Sequence, residues 1–292
     1  MKVLVIGARG MLGQAVMRTW SDLEPVGLDL PDLDITNPPQ IARTLDLYQP
    51  TVVINCAAYT AVDDCESNEL TANRVNGTAV GYLAKACTLR NVRLIHVSTD
   101  YVFDGNNANG YREDAPLAPI NAYGRSKAKG EHEIVSNAHQ YYLVRTSWLY
   151  GPGGNPKPLA DAWVRGQGNF VTTMLDLAKT KPELRVVNDQ HGKPTYTRDL
   201  AVFMKQLALD HAPSGIYHGV NEGETTWYDF TRGIFRQTKI TTPVRPCTSA
   251  EFPRPAKRPA YSTLLNTKRP LMRPWTEALG DYLIEIGYPV KG

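Results

Sequence analysis

The chain has 292 residues, of which 42% are hydrophobic and 21% are charged, and its formal net charge is +3. This length is sufficient for one large α/β domain, or for one such domain with a smaller partner. The small charge and the absence of a dense Lys/Arg run exclude a typical nucleic-acid-binding protein, and no apolar run approaches the roughly 20 residues that span a membrane.

The amino terminus predicts a dinucleotide-binding unit. Residues 2–6 are a short apolar run that indicates a buried parallel strand, and helix-forming residues follow as far as Trp20. Between them Gly7, Gly10 and Gly13 have the spacing G-x-x-G-x-x-G. Glycines at this spacing let the backbone turn tightly and approach a pyrophosphate at the start of the helix. We therefore expect a nicotinamide dinucleotide here.

Two residues near this loop give opposite indications about the cofactor. A second strand, at residues 26–28, ends at Asp29, where an acidic side chain typically accepts hydrogen bonds from the adenosine ribose. Arg9 lies inside the glycine loop, where a guanidinium could hold the 2′-phosphate of NADP. The sequence therefore predicts NADPH or NADH without deciding between them.

Strands and helices continue to alternate over the first 150 residues. Residues 41–48 predict a helix, and residues 51–58 predict a third buried strand that opens onto small side chains. A helix is expected from about Ser67 to Arg90, in which Asn76 indicates only helix packing or capping. A fourth strand follows at residues 93–98. This alternation predicts an α/β fold with a Rossmann-type, doubly wound parallel sheet.

The stretch from His96 to Lys127 contains the candidate chemistry. The fourth strand ends in polar side chains, among them Thr99 and Asp100, and about twenty residues later Tyr123 and Lys127 lie four apart in a helical pattern. Residues at this spacing share one helix face. A cation beside a phenol favours the phenolate, so the phenol becomes a better acid–base group. Such a pair is common by chance, and it is its position after a nucleotide-binding amino terminus that makes it significant.

The second half of the chain has a less regular pattern. Residues 142–150 predict one more strand, after which glycine and proline become frequent and helices become shorter. The clearest later strands are at 186–190 and 215–220, and residues 197–211 predict a helix that packs back on the sheet. Six basic residues between positions 254 and 273 favour either an anionic small-molecule ligand or a solvent-exposed basic face.

This pattern divides the chain into two expected domains. Residues 1–150 would bind the dinucleotide, with parts of about 186–220 returning to that domain, and residues 151–292 would mainly form a smaller, irregular α/β substrate-binding domain. The four cysteines show no metal-ligand spacing, and the amino terminus shows no signal peptide, so we expect a cytoplasmic protein. The six histidines are too dispersed to predict a metal site.

Several of these motifs together resemble the extended short-chain dehydrogenases/reductases. They are the glycine loop, the Tyr123/Lys127 pair and the segment 98–105, which reads Ser-Thr-Asp-Tyr-Val-Phe-Asp-Gly. Further segments, at 145–151, 169–171, 189–195 and 258–262, make the chain similar to the dTDP-4-dehydrorhamnose reductase family. The likeness extends from residue 1 to about residue 283.

The resemblance implies reduction of the 4-keto group of dTDP-4-dehydro-6-deoxy-L-mannose by NADPH or NADH, which gives dTDP-L-rhamnose for cell-surface polysaccharide biosynthesis. Tyr123 would protonate the developing alkoxide. Lys127 would lower the pKa of Tyr123 and bind the nicotinamide ribose, and Thr99 would hydrogen-bond the sugar. Asp100 would position the sugar or cap the strand end. Trp148 would form an aromatic wall for the sugar or pack in the core.

The same resemblance implies the remaining site residues. Val62 would lie near the substrate. The resemblance implies that the cofactor is lined by Gly10, Met11, Leu12, Asp34, Ile35, Ala58, Tyr59, Thr60 and Val97. The full predicted set of cofactor-binding residues also includes Gly7, Arg9, Gly13, Asp29, Ala57, Tyr123 and Lys127.

The chain departs from this family at three places. An insertion at residues 155–167 would form a lid over the sugar or change which sugar fits. Some members hold Mg²⁺ at a dimer contact through a glutamate, whereas this chain has Gln14 and Ala15 there, so we expect no metal and a monomer or weak homodimer. Cys56 and Tyr59 replace commoner residues in the cofactor pocket.

Two alternative functions remain open at this point. The chain could be a reductase or epimerase of another nucleotide sugar, or a non-catalytic regulatory subunit of the methionine adenosyltransferase type. The intact Tyr123, Lys127 and Thr99 argue against the second alternative. In either enzymatic case the expected partner is a dTDP-linked or other nucleotide sugar, with no nucleic acid and no membrane.

Overall fold

Buried apolar segments form the central strands of this α/β protein. The computed structural model describes residues 1–153 and 168–289, so the insertion at 155–167 lies outside the described residues. Within them the strands are β1 (Val3–Ile6), β2 (Val26–Leu28), β3 (Val52–Asn55), β4 (Arg93–Thr99), β5 (Tyr141–Thr146), β6 (Leu149–Tyr150), β7 (Leu184–Val187), β8 (His191–Gly192), β9 (Thr195–Tyr196), β10 (Gly215–His218), β11 (Thr225–Thr226) and β12 (Val244–Cys247).

The helices of the described residues connect these strands. They are α1 (Met11–Thr19), α2 (Pro38–Tyr48), α3 (Val62–Ser67), α4 (Glu69–Ala72), α5 (Ala79–Leu89), α6 (Ala122–Asn137), α7 (Phe170–Thr180), α8 (Thr197–Leu209), α9 (Trp227–Thr238) and α10 (Trp275–Glu285). A π-helix, Asn73–Thr78, lies between α4 and α5, and short 3₁₀ helices occupy Ser21–Leu23, Asp100–Val102 and Ser249–Glu251.

The main sheet is parallel throughout and has the order β10-β5-β4-β3-β1-β2. One face packs on α1 and α8, with Trp20 fully buried between the sheet and α8, where its Nε1 donates to the Ala201 carbonyl. The other face packs on α2, α5 and α6. Because both faces are covered, the central strands are apolar on both sides. The predicted Rossmann-type fold is confirmed.

Two predicted elements differ from the structure. The strand expected at 142–150 ends at Thr146, and after Trp148, whose φ is +48°, residues 149–150 pair with β9 in a separate two-stranded sheet. The strand expected at 215–220 is β10, which ends at His218 and pairs with β5 at the edge of the main sheet, so this part of 186–220 returns to that sheet. Strand propensity indicates extended backbone but not the partner strand, which is why the single strand predicted at 142–150 was wrong in its extent.

The helix expected from Ser67 to Arg90 is interrupted. The π-helix at Asn73–Thr78 separates α4 from α5. Helix α6 packs closely on this segment, because a Cβ added at Gly77 would lie 2.6 Å from Lys129 Cδ, and one at Gly130 would lie 2.2 Å from the Asn76 carbonyl oxygen. π-helical turns are frequent at functional sites.

A separate hydrophobic core, rich in aromatic side chains, lies in the carboxyl-terminal half. Helices α7, α9 and α10 and strand β7 surround a cluster that includes Tyr150, Tyr196, Phe230 and Tyr282. Short strand pairs (β6 with β9, β7 with β12, β8 with β11) complete this part of the chain. Among the described residues no helix combines the length and apolarity that a bilayer crossing requires.

Candidate active site

The amino terminus of α6 is held from three sides, which fixes the position of Tyr123. The Asn121 side chain caps the helix by accepting from the Gly124 amide at 2.7 Å, and it donates to the Lys257 carbonyl. The Glu66 carboxylate accepts from the Ala122 amide at 2.8 Å. A Cβ at Gly124 would lie 2.1 Å from the carbonyl oxygen of Tyr101, so only glycine allows this approach. The helix start is therefore pressed against the end of β4.

Tyr123 lies beside the polar end of β4. Its ring packs edge-to-face on Tyr101, with centroids 5.8 Å apart. Burial and the nearby Asp100 carboxylate raise the pKa of Tyr123 well above its usual value, and a hydrogen bond with Thr99 opposes this in part. The role of Lys127 in lowering this pKa stays a prediction. Tyr123 is a protonated phenol at neutral pH and is suited to donate a proton.

Lys127 is directed toward the interior of the sheet. Its side chain is 2% exposed, its Nζ donates to the Val97 carbonyl at 2.7 Å, and it lies 3.2 Å from Nε2 of His96. Burial lowers the pKa of Lys127 to about 8, and the negative charge of Glu131 opposes the effect. The lysine therefore titrates closer to neutrality than a free lysine does.

Asp100 provides a buried carboxylate next to Tyr123 and Thr99. Thr99 Oγ1 donates to Asp100 Oδ1 at 3.0 Å and accepts from the Tyr101 amide at 3.2 Å. Burial raises the pKa of Asp100 to about 6, and Ser262 and Thr99 lower it in part. Within the described residues Oδ2 of Asp100 has no hydrogen-bond partner. A buried carboxylate oxygen without a partner is an acceptor available to a polar ligand.

Two glycines of the loop, Gly7 and Gly13, are packed so tightly that they leave no room for a Cβ atom. Gly7 has φ +76°, and a Cβ there would lie 2.6 Å from the Ala57 amide nitrogen. A Cβ at Gly13 would lie 2.1 Å from the Gly7 carbonyl oxygen. Helix α1 starts after Gly10, which has no side chain to cap it, so the first-turn amides at Met11 and Leu12 are available to an anion. The loop therefore fits the pyrophosphate of a dinucleotide.

Arg9 and Asp29 lie together at the carboxyl end of β2. The Asp29 carboxylate accepts from the amides of Arg9, at 3.0 Å, and Leu30, at 2.8 Å. The Arg9 guanidinium donates to the Leu30 carbonyl and lies 3.4 Å from Asp32. Asp34 and the buried Ile35 follow in the same turn, where Asp34 accepts from the Thr36 amide. Asp29, which is predicted to bind the adenosine ribose, and Arg9, which is predicted to bind a 2′-phosphate, are thus neighbours at this edge of the sheet.

Asn76, which the sequence marked only for packing or capping, joins the predicted cofactor wall to α6. Its side chain accepts from the Tyr59 amide at 2.8 Å and donates to the Tyr59 carbonyl and to Ser126 Oγ. Ser126 Oγ in turn donates to the Tyr123 carbonyl at 2.7 Å. The segment that contains Ala57, Ala58 and Thr60 is therefore tied to the helix of Tyr123.

His96 and Asn55 are two further site residues that sequence reasoning missed. Asn55 Nδ2 lies 3.0 Å from His96 Nδ1, and both side chains are 1% exposed. The available signal was a histidine inside an otherwise apolar strand, because a buried imidazole needs hydrogen-bond partners. The sequence pattern does not identify Lys127 and Asn55 as the hydrogen-bond partners of His96.

Trp148 lies between the sheet and the carboxyl-terminal aromatic core. Its ring stacks on Trp227, with centroids 3.6 Å apart and planes 8° apart, and a Cβ at Gly192 would lie 2.7 Å from it. The side chain is half-buried, so one part packs and another faces solvent. Val62 opens α3, and its neighbour Asp63 forms ion pairs with Arg254 and Arg258 at 2.6 Å each.

The basic residues of the last forty positions are largely paired within the chain. Besides the two arginines on Asp63, Arg269 pairs with Asp210 and Arg273 pairs with Asp199 and Asp281. Lys268 donates to the Ile216 carbonyl. Intramolecular ion pairs therefore account for most of the charge that suggested an anionic ligand.

Known proteins are similar to this chain over most of its length. The family model described as RmlD substrate binding domain matches residues 1–287. The chain is 40% identical to the spore coat polysaccharide biosynthesis protein SpsK of Bacillus subtilis, over 97% of each chain, and 39% identical to a dTDP-4-dehydrorhamnose reductase of Aggregatibacter actinomycetemcomitans, over 91% of each. A dTDP-4-keto-6-deoxy-D-glucose reductase of Streptomyces niveus is 40% identical, over 89% of this chain and 87% of the relative.

A solved structure supports the same relationship. The dTDP-4-dehydrorhamnose reductase of Bacillus anthracis, solved in complex with NADP, has a TM-score of 0.90 and 36% identity to this chain, and the match covers 98% of this chain and all of that one.

Proposed function

The chain belongs to the RmlD substrate binding domain family, and from this membership we propose that it is a dTDP-4-dehydrorhamnose reductase. It is an NAD(P)H-dependent oxidoreductase that reduces the 4-keto group of dTDP-4-dehydro-6-deoxy-L-mannose to give dTDP-L-rhamnose. The observation that carries the proposal is the position of Tyr123. Its phenol lies beside Thr99 and Asp100, on a helix tied through Ser126 and Asn76 to the wall that packs on the glycine loop.

The residues of the glycine loop and the three neighbouring strand ends would hold the cofactor. Arg9 and Asp29 at the end of β2 would bind the adenosine ribose and its 2′-phosphate, and the backbone at Ala57, Ala58 and Val97 would line the nicotinamide half. When bound, the reduced nicotinamide supplies the hydride for C4 of the sugar.

Tyr123 supplies the proton in this reaction. Burial and Asp100 raise the pKa of the phenol, so it is protonated at neutral pH and can donate to the alkoxide oxygen that forms at C4. Thr99 would turn its single hydroxyl hydrogen from Asp100 Oδ1 to the same oxygen, which would stabilise the developing charge. Asp100 Oδ2 accepts from a sugar hydroxyl, and Trp148 forms a wall of the sugar pocket. Lys127 provides a positive charge behind the phenolate that remains after proton transfer.

The division of labour follows the fold. Residues 1–150 together with β10 would bind the cofactor, and the rest of the second half would bind the sugar nucleotide. We propose a cytoplasmic enzyme that acts as a monomer or weak homodimer.

A second candidate is reduction of a different dTDP-linked 4-keto sugar. The similarity to a dTDP-4-keto-6-deoxy-D-glucose reductase favours it, because the two named substrates differ in the sugar and share the nucleotide. The chemistry of Tyr123 would be the same in both cases.

Purified protein should oxidise NADPH when it is given dTDP-4-dehydro-6-deoxy-L-mannose, and the fall in NADPH absorbance measures the rate. Tyr123→Phe removes the proton donor and should lower kcat at least ~100-fold. Tyr82→Phe, on α5 away from the site, is the matched control and should keep full activity. A panel with dTDP-4-keto-6-deoxy-D-glucose and with NADH separates the candidates by kcat/KM. An unchanged rate in Tyr123→Phe, or no turnover with any 4-keto sugar, would refute the proposal.

A further inference from the structure

Three buried polar side chains form a line behind the active site. Asn55, at the end of β3, contacts Nδ1 of His96 in β4 at 3.0 Å, and Nε2 of His96 lies 3.2 Å from Nζ of Lys127. All three are at most 2% exposed. Because water does not reach them, the donors and acceptors along the line must match one another.

The backbone fixes the orientation of the Asn55 amide. The Ala57 amide N–H, which can only donate, points at Asn55 Oδ1 at 3.1 Å. The Nδ2 group of Asn55 therefore faces His96, and an amide NH₂ can only donate. His96 Nδ1 must then be the acceptor, and the proton of the neutral imidazole is on Nε2.

This tautomer has a consequence for Lys127. The Nε2–H of His96 points at Nζ, and an ammonium group has no lone pair with which to accept it. Only the uncharged amine of Lys127 can accept from Nε2–H while it donates to the Val97 carbonyl at 2.7 Å. The arrangement in the structure is thus the one that suits an uncharged Lys127.

We propose that His96 and Asn55 are positioning residues that couple the charge of Lys127 to the tautomer of a buried imidazole. When Nζ takes up one proton, the imidazole stays neutral but carries its proton on Nδ1, so that Nε2 accepts from the ammonium. The Asn55 amide then turns over to accept from Nδ1–H, and the Ala57 N–H loses its partner. This inference rests on the proposed function, because it concerns the lysine of the reductase site.

The coupling reaches the cofactor wall through Ala57. A Cβ at Gly7 would lie 2.6 Å from the Ala57 nitrogen, so this amide directly underlies the glycine loop. Protonation of Lys127 would therefore change a hydrogen bond at the place where the dinucleotide is expected. The protonation state of Lys127, which is proposed to bind the nicotinamide ribose, would thus affect the backbone beside the glycine loop.

The surrounding charges leave Lys127 as the group that titrates. Burial lowers the pKa of Lys127 to about 8, whereas burial and Lys127 lower the pKa of His96 far below its usual value, so the imidazole stays neutral. Burial raises the pKa of the Cys56 thiol to about 12. Glu131 is engaged by Arg145 and Ser98. A change in tautomer is therefore expected near the pKa of Lys127.

The test is the tautomer of His96, measured by long-range ¹H–¹⁵N correlation in cofactor-free protein labelled with ¹⁵N-histidine. The signal is assigned by its loss in His96→Gln. We expect Nε2–H above the Lys127 pKa of about 8 and Nδ1–H below it. One tautomer across this whole range would overturn the proposal. The pH series is measured on the wild-type chain, and only the assignment of the signal uses a variant.

Two variants test the direction of the coupling. Asn55→Asp has the same shape, and its ionised carboxylate can only accept, so it should hold His96 in the Nδ1–H form wherever that carboxylate is ionised and move the lysine-dependent limb of the kcat/KM profile to higher pH. Lys127→Met removes the titrating amine and should make the tautomer independent of pH. A change in tautomer that persists in Lys127→Met would overturn the proposal. Failure of reductase turnover with the tautomer change intact would refute only the proposed function.

Discussion

Glu131 and Arg145 form a buried ion pair, with Oε2 2.7 Å from Nη2 and both side chains 2% exposed. The pair joins α6 to β5, and Ser98 Oγ of β4 donates to the same carboxylate at 2.5 Å. Arg145 also donates to the Glu113 carbonyl and lies over the Phe103 ring, 5.1 Å from its centroid. Because Glu131 lies one turn after Lys127, this network sets the position of the Tyr123/Lys127 helix on the sheet.

Glu131→Gln should therefore be strongly destabilising. The substitution leaves the Arg145 charge buried without a counter-charge, and removing one partner of a buried pair costs about 3–5 kcal/mol. The free energy of unfolding in urea measures the loss. Glu69→Gln is the control, because it breaks a half-exposed ion pair with Arg125, which lies on α6 as Glu131 does. This loss should cost no more than about 1 kcal/mol. Equal losses in the two variants would contradict the assigned role of the buried network.

Asp100 should make stability depend on pH. Burial raises the pKa of Asp100 from 3.8 to about 6, so the folded state holds this proton more tightly than the unfolded state does. The resulting stability is fully present below pH 3.8 and is lost as the pH rises through about 6. Relative to Asp100→Asn, which does not titrate, the wild-type chain should lose on the order of 3 kcal/mol across this window. Urea unfolding of both proteins at several pH values measures it, and a constant difference would contradict the prediction.

The same variant should change the pH–rate profile at its basic end. The Asp100 carboxylate is one of the groups that raise the pKa of Tyr123. Removing its negative charge makes the phenolate easier to form, so the limb of kcat/KM that Tyr123 sets, which lies at higher pH than the limb set by Lys127, should move to lower pH in Asp100→Asn. Steady-state kinetics across the alkaline range measures the shift. A limb that stays in place, or moves to higher pH, would show that Asp100 does not act on Tyr123.

Arg9 should discriminate between the two cofactors. Its guanidinium lies at the end of β2 beside Asp29, where the 2′-phosphate of NADPH is expected. Hydrogen bonds to charged groups contribute about 1.5–3 kcal/mol, so Arg9→Ala should raise the KM for NADPH by about ten-fold or more and leave that for NADH nearly unchanged. Arg43→Ala, on the exposed face of α2, is the matched control. Equal effects on both cofactors would place the 2′-phosphate elsewhere.

Two glycines of the same loop should respond differently to alanine. The added Cβ at position 13 would lie 2.1 Å from the Gly7 carbonyl oxygen, whereas at position 10 the closest atom is 3.3 Å away. Gly13→Ala must displace backbone and should cost at least about 1–3 kcal/mol of unfolding free energy, with loss of dinucleotide binding. Gly10→Ala should cost clearly less. Thermal unfolding and cofactor titration by fluorescence measure both, and a Gly13→Ala protein that binds like wild type would contradict this packing.

The local pattern of the sequence was sufficient for the amino-terminal half of the fold. Apolar strands, intervening helices and three spaced glycines indicate a Rossmann-type unit because burial and backbone sterics act over a few residues. The same holds for Tyr123 and Lys127, whose shared helix face follows from the helical repeat alone. Their roles in reduction remain predictions.

The tertiary structure decided which distant residues meet. Residues 149–150 leave the main sheet while β10 joins it, and the Lys127 amine contacts His96 and the Val97 carbonyl. Asn76 reaches Ser126 across fifty positions of the chain. Periodicity states that a side chain is buried but not what it is buried against. Hydrogen-bond partners and the pKa values that depend on them are therefore set only when the chain packs.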